Sequence, residues 1–504
     1  MRLSVLAAFV RRGISMNQYY CNSIEKWIEQ YEERIIASVK RLVSINSVAE
    51  PESDVKPYGQ GCRKVQSEFC QLAKDFGYTC TSYDDRVIRV DARQSGANRR
   101  PDIGIWGHLD VVPAGHDWKY KPFAPVIDKG FLIGRGVRDD KGPAVAALYA
   151  LKCLQDLRIE QKHHISLYLG LEEEKGMSDV LWLKEHDIPF PKMNLVLDSR
   201  YPVCYGEKGI LSIVVGGRKP LCENVLSLSG GESENSVAGR ARMEIRALSH
   251  APIPEALPDW LAVTSGAGKI AVEAQGLSKH AAHPENSENA IYRLFAAASG
   301  MLPGCESLHR CLADALAPGT IKLFRDFAQL SSDIYGEGLE IAAQDEISGK
   351  LTTVASLLSM EDRLCSVTFN IRYPIALGRH DPLISAITRT LQKHDMQLVR
   401  FSGKTPGYSP KDHPLLVNLM NTYNAFTGQS AYPFTIAGGT YARMLPNGFG
   451  YGFRLEPEPV TPAGMFPPGH GGAHAADEAV NVAHYKKQLA LLILSLAECQ
   501  KTKF

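Results

Sequence analysis

The sequence predicts an α/β fold in which a mostly parallel sheet is flanked by helices and interrupted by an inserted α+β domain. Three observations carry this. Short β-rich runs alternate with helical periodicity over the first two hundred residues, the signature of strands joined by crossover helices. Beyond Gly209 the texture changes to strand-like runs and polar loops, and after Thr405 helical periodicity returns. At 504 residues the chain also exceeds what one hydrophobic core supports.

Taken in order, residues 23–43 place Ile24, Trp27, Ile28, Tyr31 and Ile35 on one stripe at helical spacing, an amphipathic helix. Residues 47–61 read as a loop, and a second helix ends near Gly77. Strands are expected at Val87–Asp91 and at residues 103–106, 165–169 and 195–197, with helices between them. A parallel sheet of this kind presents reactive groups at the carboxyl ends of its strands. The inserted segment opens with a strand at residues 210–215 and contains another at 269–272. A helix at 415–426 and the glycine-rich stretch AGGTYAR read as the first domain resuming. The domains are therefore expected at 1–209 with 403–504, and at 210–402.

Composition narrows the partners. With 44% hydrophobic and 22% charged residues the chain is an ordinary globular sequence. A net charge of +1, with no basic cluster, argues against a nucleic acid or a membrane surface as partner and for a small polar substrate. The eleven cysteines stand singly, with no CxxC pair, which resembles neither a disulfide framework nor a zinc-thiolate site, so a reducing, cytoplasmic compartment is expected. The opening run MRLSVLAAFVRRGIS is too short to span a bilayer. It reads as a transit segment or as an upstream start ahead of Met16.

The chemistry-bearing residues lie where the strands should end. PDIGIWGHLDVVPAG brings His108 and Asp110 to a turn marked by Pro113 and Gly115. An isolated HxD pair is more often a capping or surface arrangement than a metal ligand with its supporting carboxylate. GRGVRDDKGPAVAALYALKCL then sets Asp139 and Asp140 side by side before a long helix. Helix capping accounts for Asp140 alone, but burying adjacent carboxylates without cations is costly. Glu172, Glu173 and Glu174 follow the strand HHISLYLGL, and Asp198 closes a fourth strand. Carboxylates and imidazole arriving from successive strand ends suit two hard or borderline cations.

GHLDVVPAG, GRGVRDDKGPAVAALYALK, YGEKG, FNIRYP and GGTYAR together resemble the dinuclear zinc metallopeptidase family that includes aminoacylase, glutamate carboxypeptidase and succinyl-diaminopimelate desuccinylase, most of all its bacterial dipeptidase branch. The resemblance spans most of the chain. It implies that His108 and Asp198 hold one metal, Glu174 and His474 the other, and that Asp139 bridges both. It makes Asp110 the carboxylate that orients His108, Glu173 the general base, and the Asp139–Asp140 peptide cis. His474 is preferred to His470 because it lies three residues before the acidic pair Asp477–Glu478. In the inserted domain, which the resemblance makes a lid, His280 and Asn235 become donors to the scissile carbonyl and Arg372 the anchor for a substrate carboxylate. Gly438 and Gly439 join them as substrate-binding residues. Two departures bear on this: Asn235 is followed by Ser-Val-Ala rather than the family's Val-Pro, and His283 stands close to His280.

The function so implied is metal-dependent hydrolysis of dipeptides with a free C-terminal carboxylate, using two divalent ions, zinc foremost, with manganese or cobalt as substitutes. The alternatives are an N-acyl amino acid deacylase, a carboxypeptidase, and a catalytically silent metal-binding scaffold; the last predicts damage to the base or the ligands, and none is seen. Lids of about half this length in the family go with dimers that share a histidine across subunits. The longer insert here implies a monomer with no obligate protein partner.

Overall fold

The computed structural model describes residues 18–92, 100–246 and 257–503. The N-terminal run MRLSVLAAFVRRGIS lies outside them. Two compact units emerge: one within Met1–Gly206, Gly407–Phe434 and Thr440–Phe504, the other within Glu207–Pro406 and Thr435–Gly439.

In unit 1, α1 (Gln18–Val43) and α2 (Gly59–Asp75) precede β1 (Thr79–Tyr83), β2 (Val87–Asp91) and β3 (Ile103–His108). There follow α3 (Lys141–Asp156), β4 (Ile165–Gly170), β5 (Met193–Val196), β6 (Cys204–Glu207), β7 (Gly407–Tyr408), β8 (Gly448–Gly450) and α4 (Val482–Cys499). The sheet order is β1-β2-β4-β3-β5-β8-β6-β7. Its centre is parallel: β3 pairs with β4 and β5, and β5 with β8, all in the same direction. β1, β2 and β4 pair antiparallel at the edge. Burial on both faces explains why β3, β4 and β5 are buried along their whole length rather than alternating. The fold class is the expected one.

The helices cover this sheet through their apolar stripes. Ile24, Trp27, Ile28 and Ile35 of α1 are buried. The fully buried Lys141, at the start of α3, donates through Nζ to Leu42 O and Ile45 O, satisfying carbonyls at the C-terminal end of α1. Cys70 of α2 and Cys80 of β1 form a disulfide. This corrects the expectation of no disulfide: the turn at Gly77 folds β1 back beside its own helix, a proximity that a ten-residue spacing does not advertise. The other nine cysteines are free. Among the described residues no helix is long and apolar enough to cross a membrane.

Unit 2 is an eight-stranded antiparallel sheet. Its longest ladder runs through Thr352–Glu361, Leu364–Tyr373, Gly209–Gly217 and Met396–Lys404. Ile213, Val215, Met243, Val272 and Phe369 from the strands share one core with Leu294, Phe295, Phe324, Phe327 and Ile387 from the helices. Alternate burial along Lys269–Gln275 and Arg240–Arg246 is what a sheet with one covered face requires.

Candidate active site

Three neighbouring parallel strands end at one edge of the unit 1 sheet. β3 ends on His108 itself, β4 runs out at Gly170 just before Glu172–Glu174, and β5 ends two residues before Asp198. Asp139 arrives from the turn before α3, and His474 from the loop ahead of the strand Ala479–Asn481.

The side chains converge. Asp139 Oδ1 lies 3.0 Å from His108 Nε2, and its other oxygen lies 3.1 Å from His474 Nε2. His474 Nε2 is also 3.0 Å from Glu174 Oε1. Ligand atoms of His108, Glu173 and Asp198 fall within 4.8 Å of one another, as do those of His108, Asp139 and Glu174. One carboxylate thus turns an oxygen to each of two imidazoles, the arrangement a bridging ligand needs. His474 and Asp477 both adopt left-handed backbone conformations, φ 62° and 53°, uncommon away from glycine and frequent at functional sites.

Four carboxylates and two imidazoles share one space, with His108 fully buried and His474 half-exposed. Burial would raise the Asp139 carboxyl, but the imidazoles of His108 and His474 pull it well below the usual range. The carboxylates of Asp139 and Glu174 push His474 up to about 11. Burial, then the charge of Asp139, pushes Asp198 up to about 7. Burial and the charge of Asp198 hold Glu173 well above its ordinary value. Glu173 Oε1 is buried with no hydrogen-bond partner. An excess of buried negative charge, borne by oxygen and imidazole nitrogen donors, fits divalent cations.

A second row of acids holds the first in place. Asp110 accepts backbone N–H bonds from Glu173 and Glu174, both 3.1 Å, and lies 3.3 Å from His108 Nδ1. Asp140 stands at the N-cap position of α3 but makes no side-chain cap bond. Its Oδ2 accepts from His108 N at 3.1 Å instead, so capping does not explain it. That approach needs Gly107: a Cβ there would sit 2.4 Å from Asp140 Oδ2. The Asp139–Asp140 peptide is cis, as the resemblance implied.

Three members of this row carried no role in the sequence. Glu478 accepts from the backbone N–H of Gly136, Arg138 and Asp139 and from Arg135 Nη1 at 2.7 Å, with both side chains buried. Asp179 accepts from Leu171 N, Glu172 N and Tyr441 Oη, fixing the turn that carries the glutamates. Asp477 accepts from Lys119 N and Tyr120 N and lies 2.7 Å from His470 Nδ1, which keeps His470 out of the cluster.

Unit 2 holds the remaining candidates. Arg372 is buried, its Nε donating to Asn370 Oδ1 at 2.8 Å and its Nη1 to Ala437 O at 2.9 Å, so Gly438 and Gly439 follow directly on a residue it grips. A Cβ at Gly438 would meet only the tip of Ile436, so packing alone does not demand glycine there. Asn235 and His280 are exposed, and their loops are tied by Ala281 N donating to Asn235 O and by a bridge between Ser236 and His280. His280 Nδ1 accepts from Ala282 N, while His283 N donates to His280 O.

Two imidazoles and four carboxylates gathered at the carboxyl edge of an open α/β sheet are a donor set fit for divalent cations. Residues 104–498 match Peptidase family M20/M25/M40. The chain belongs to that family and is a metal-dependent peptidase. It is 29% identical over 486 residues to the Bacillus subtilis (strain 168) protein named "Putative dipeptidase YtjP", covering 93% of this chain and 98% of that one. Its fold is similar to human carnosine dipeptidase 1, with a TM-score of 0.55 at 13% identity over 95% of this chain and 99% of that one. It is also similar to the Bacillus subtilis YXEP protein, described as a dinuclear metal binding peptidase, with a TM-score of 0.50 at 8% identity over 94% and 100% of the two chains.

Proposed function

We propose that this protein hydrolyses the peptide bond of dipeptides bearing a free C-terminal carboxylate. The observation that carries the reading is Asp139, whose two oxygens face His108 and His474 at 3.0 and 3.1 Å beside a glutamate with an unpartnered oxygen, Glu173. His108 and Asp198 would hold one ion, Glu174 and His474 the second, and Asp139 both. Bound there, two divalent ions supply Lewis-acid polarisation of the scissile carbonyl and lower the pKa of the attacking water. Zinc suits this donor set, and manganese or cobalt would fit it.

The protein's own groups do the rest. Glu173 takes the proton of the attacking water and later delivers it to the leaving amine. Asp110 holds both Glu173 and Glu174 by their backbone, so base and ligand keep their relative places as charge moves. His280 and Asn235 donate to the carbonyl oxygen as negative charge develops on it. Arg372, already oriented by Asn370 and Ala437, pairs with the substrate carboxylate, and the backbone at Gly438 and Gly439 lies alongside. The partner is a small peptide; a monomer without nucleic acid, membrane or obligate protein partner is the assembly proposed.

The test is an assay of metal-reconstituted protein against dipeptides, their N-acetylated forms, and tripeptides, with metal content determined in parallel. Cleavage confined to dipeptides with a free amine is the expected result. Preference for the N-acetylated forms would make the protein a deacylase, and trimming of longer peptides from the C-terminus a carboxypeptidase. A cytoplasmic location is part of the proposal, and nine free cysteines support it. The Cys70–Cys80 disulfide is the feature against it, and alkylation of those two cysteines in intact cells decides the matter.

A further inference from the structure

The face of the unit 2 sheet turned away from its helices carries a second cation beside Arg372. Thr352, Arg372 and Ile210 stand directly opposite one another on three neighbouring strands, so their side chains rise from one face. The alternate residues Ile371, Leu211 and Ile213 point the other way, into the core shared with the helices. Lys208 lies two residues before Ile210, and the strand period of two puts it on the face of Arg372. Counted on along the same ladders, Lys208 and Lys350 flank Pro374 from either side. Lys208 Nζ donates to Lys350 O, so its side chain crosses the strand of Arg372 at Pro374, two positions and about 7 Å beyond Arg372. The backbone agrees. Lys208 N donates to Ile436 O and Arg372 Nη1 to Ala437 O, both at 2.9 Å, so the two residues border one short segment, Thr435–Gly439. All of these residues belong to unit 2.

Lys208 is 8% exposed, and burial pushes its ammonium below its ordinary pKa. The charges of Asp345 and Glu285 oppose that shift without cancelling it. Asp345 already accepts from the N–H groups of Ile347, Ser348, Gly349 and Ala376, and Glu285 is exposed. A desolvated ammonium gains more from an incoming anion than a hydrated one does. We propose that Lys208 recognises the side-chain carboxylate of a C-terminal glutamate while Arg372 holds its α-carboxylate, so that the preferred substrates are dipeptides ending in glutamate. The inference rests on the reading of Arg372 given above. One carboxylate cannot span two cations set a pleat repeat apart. The two carboxylates of glutamate, separated by its Cα, Cβ and Cγ, can.

The experiment is measurement of kcat/KM on the full-length, metal-loaded protein for L-alanyl-L-glutamate and L-alanyl-L-glutamine, which share a shape and differ in side-chain charge. The glutamate substrate is expected to be at least about tenfold better, the effect of a hydrogen bond between charged partners in a buried site. Lys208→Met should bring the ratio of the two values to about one, and Lys208→Arg, which keeps the charge, should leave glutamate ahead. Arg372→Ala should lower both values, since both substrates carry the α-carboxylate, with glutamate still ahead. Glutamine cleaved as well as glutamate by the unaltered enzyme would overturn this proposal and leave the dipeptidase reading standing. A ratio that survived in Lys208→Met would overturn it too, because the charge would then be read elsewhere. Cleavage of neither substrate would overturn both readings. The comparison of substrates uses the unaltered protein, so a Lys208→Met chain that fails to fold does not void the test.

Discussion

The carboxylate–imidazole cluster of unit 1 and the residues of unit 2 proposed to face the substrate are built on opposite principles. His108 is 0% exposed, and its ring, its backbone and the turn that carries its neighbours are each fixed by a second carboxylate: Asp110, Asp140 and Asp179. Asn235 and His280 stand on exposed loops joined by a short antiparallel bridge at Ser236 and His280 and by Ser278 Oγ donating to Val237 O. Ion ligands must hold their geometry within a few tenths of an ångström before the ion arrives, so each needs a supporting partner. Donors to a substrate oxygen must admit and release a substrate, and loops serve that better. Arg372 is the exception in unit 2. It lies on an inner strand, its Nε bonded to Asn370 and its Nη1 to Ala437, as would suit the proposed recognition of a carboxylate by a fixed planar fork.

The largest effect should come from the group that is neither ligand nor brace. Glu173→Gln removes the proton acceptor while keeping its shape, so kcat should fall by about 10²- to 10⁴-fold with both metal equivalents retained. Metal analysis beside the rate separates the roles. A variant that lost a metal, or kept near-normal turnover, would mean that Glu173 and Glu174 have been assigned the wrong way round.

Glu478→Gln tests whether the bracing row matters. The amide cannot accept from three backbone N–H groups and Arg135 as the carboxylate does, so metal affinity should drop by about 10- to 100-fold. The same competition titration on Asn235→Ala and His280→Ala should show no change. Equal losses in both units would erase the distinction between braced ligands and adaptable donors.

Arg372→Ala should raise KM by about tenfold to a hundredfold for substrates with a free C-terminal carboxylate, the effect of losing a charge-assisted bidentate pair. The matching C-terminal amides should change little. Because both substrates are measured on one variant, any general damage cancels. Equal losses on acid and amide would remove Arg372 from carboxylate recognition.

What the sequence shows of this molecule follows the range of the interactions. The strands at Val87–Asp91 and around residues 103–108, 165–170 and 193–196 are legible because burial on both faces leaves continuous apolar runs. His108, the glutamate run and Asp198 are legible because each stands within a few residues of such a run's end. Of the bracing row only Asp110 is legible, through the family resemblance; Glu478, Asp179 and Asp477 are not. Glu478 reaches the backbone of residues 136–139 across some 340 positions, and Tyr441 reaches Asp179 across 262. No local pattern marks a buried carboxylate whose partners are distant backbone amides. Asp140 misleads for the same reason: beside a helix start it reads as a cap, and only the tertiary structure shows its oxygen on His108 N. The Cys70–Cys80 bond depends on a turn rather than on cysteine spacing.

The smallest effect expected is none at all, and it concerns assembly. If the unit 2 of each chain serves its own unit 1, two chains damaged in different units cannot repair one another. The insert Glu207–Pro406 is itself the size of a domain, large enough to carry Asn235, His280 and Arg372 on one self-supporting sheet and core. His108→Ala removes a proposed ion ligand from unit 1, and His280→Ala removes the proposed carbonyl donor from unit 2. Each homogeneous variant should be nearly inactive. Co-refolding the two in equal amounts should give no more activity than the average of the separate preparations, since every chain then carries one defect that its neighbour cannot supply. In a dimer that exchanged the histidine, one of the two sites in a mixed pair would contain intact His108 and intact His280. Up to half of the pairs formed would be mixed, and each would restore one working site. Activity approaching a quarter of the unmutated enzyme would therefore place His280 across a subunit boundary and end the monomer reading.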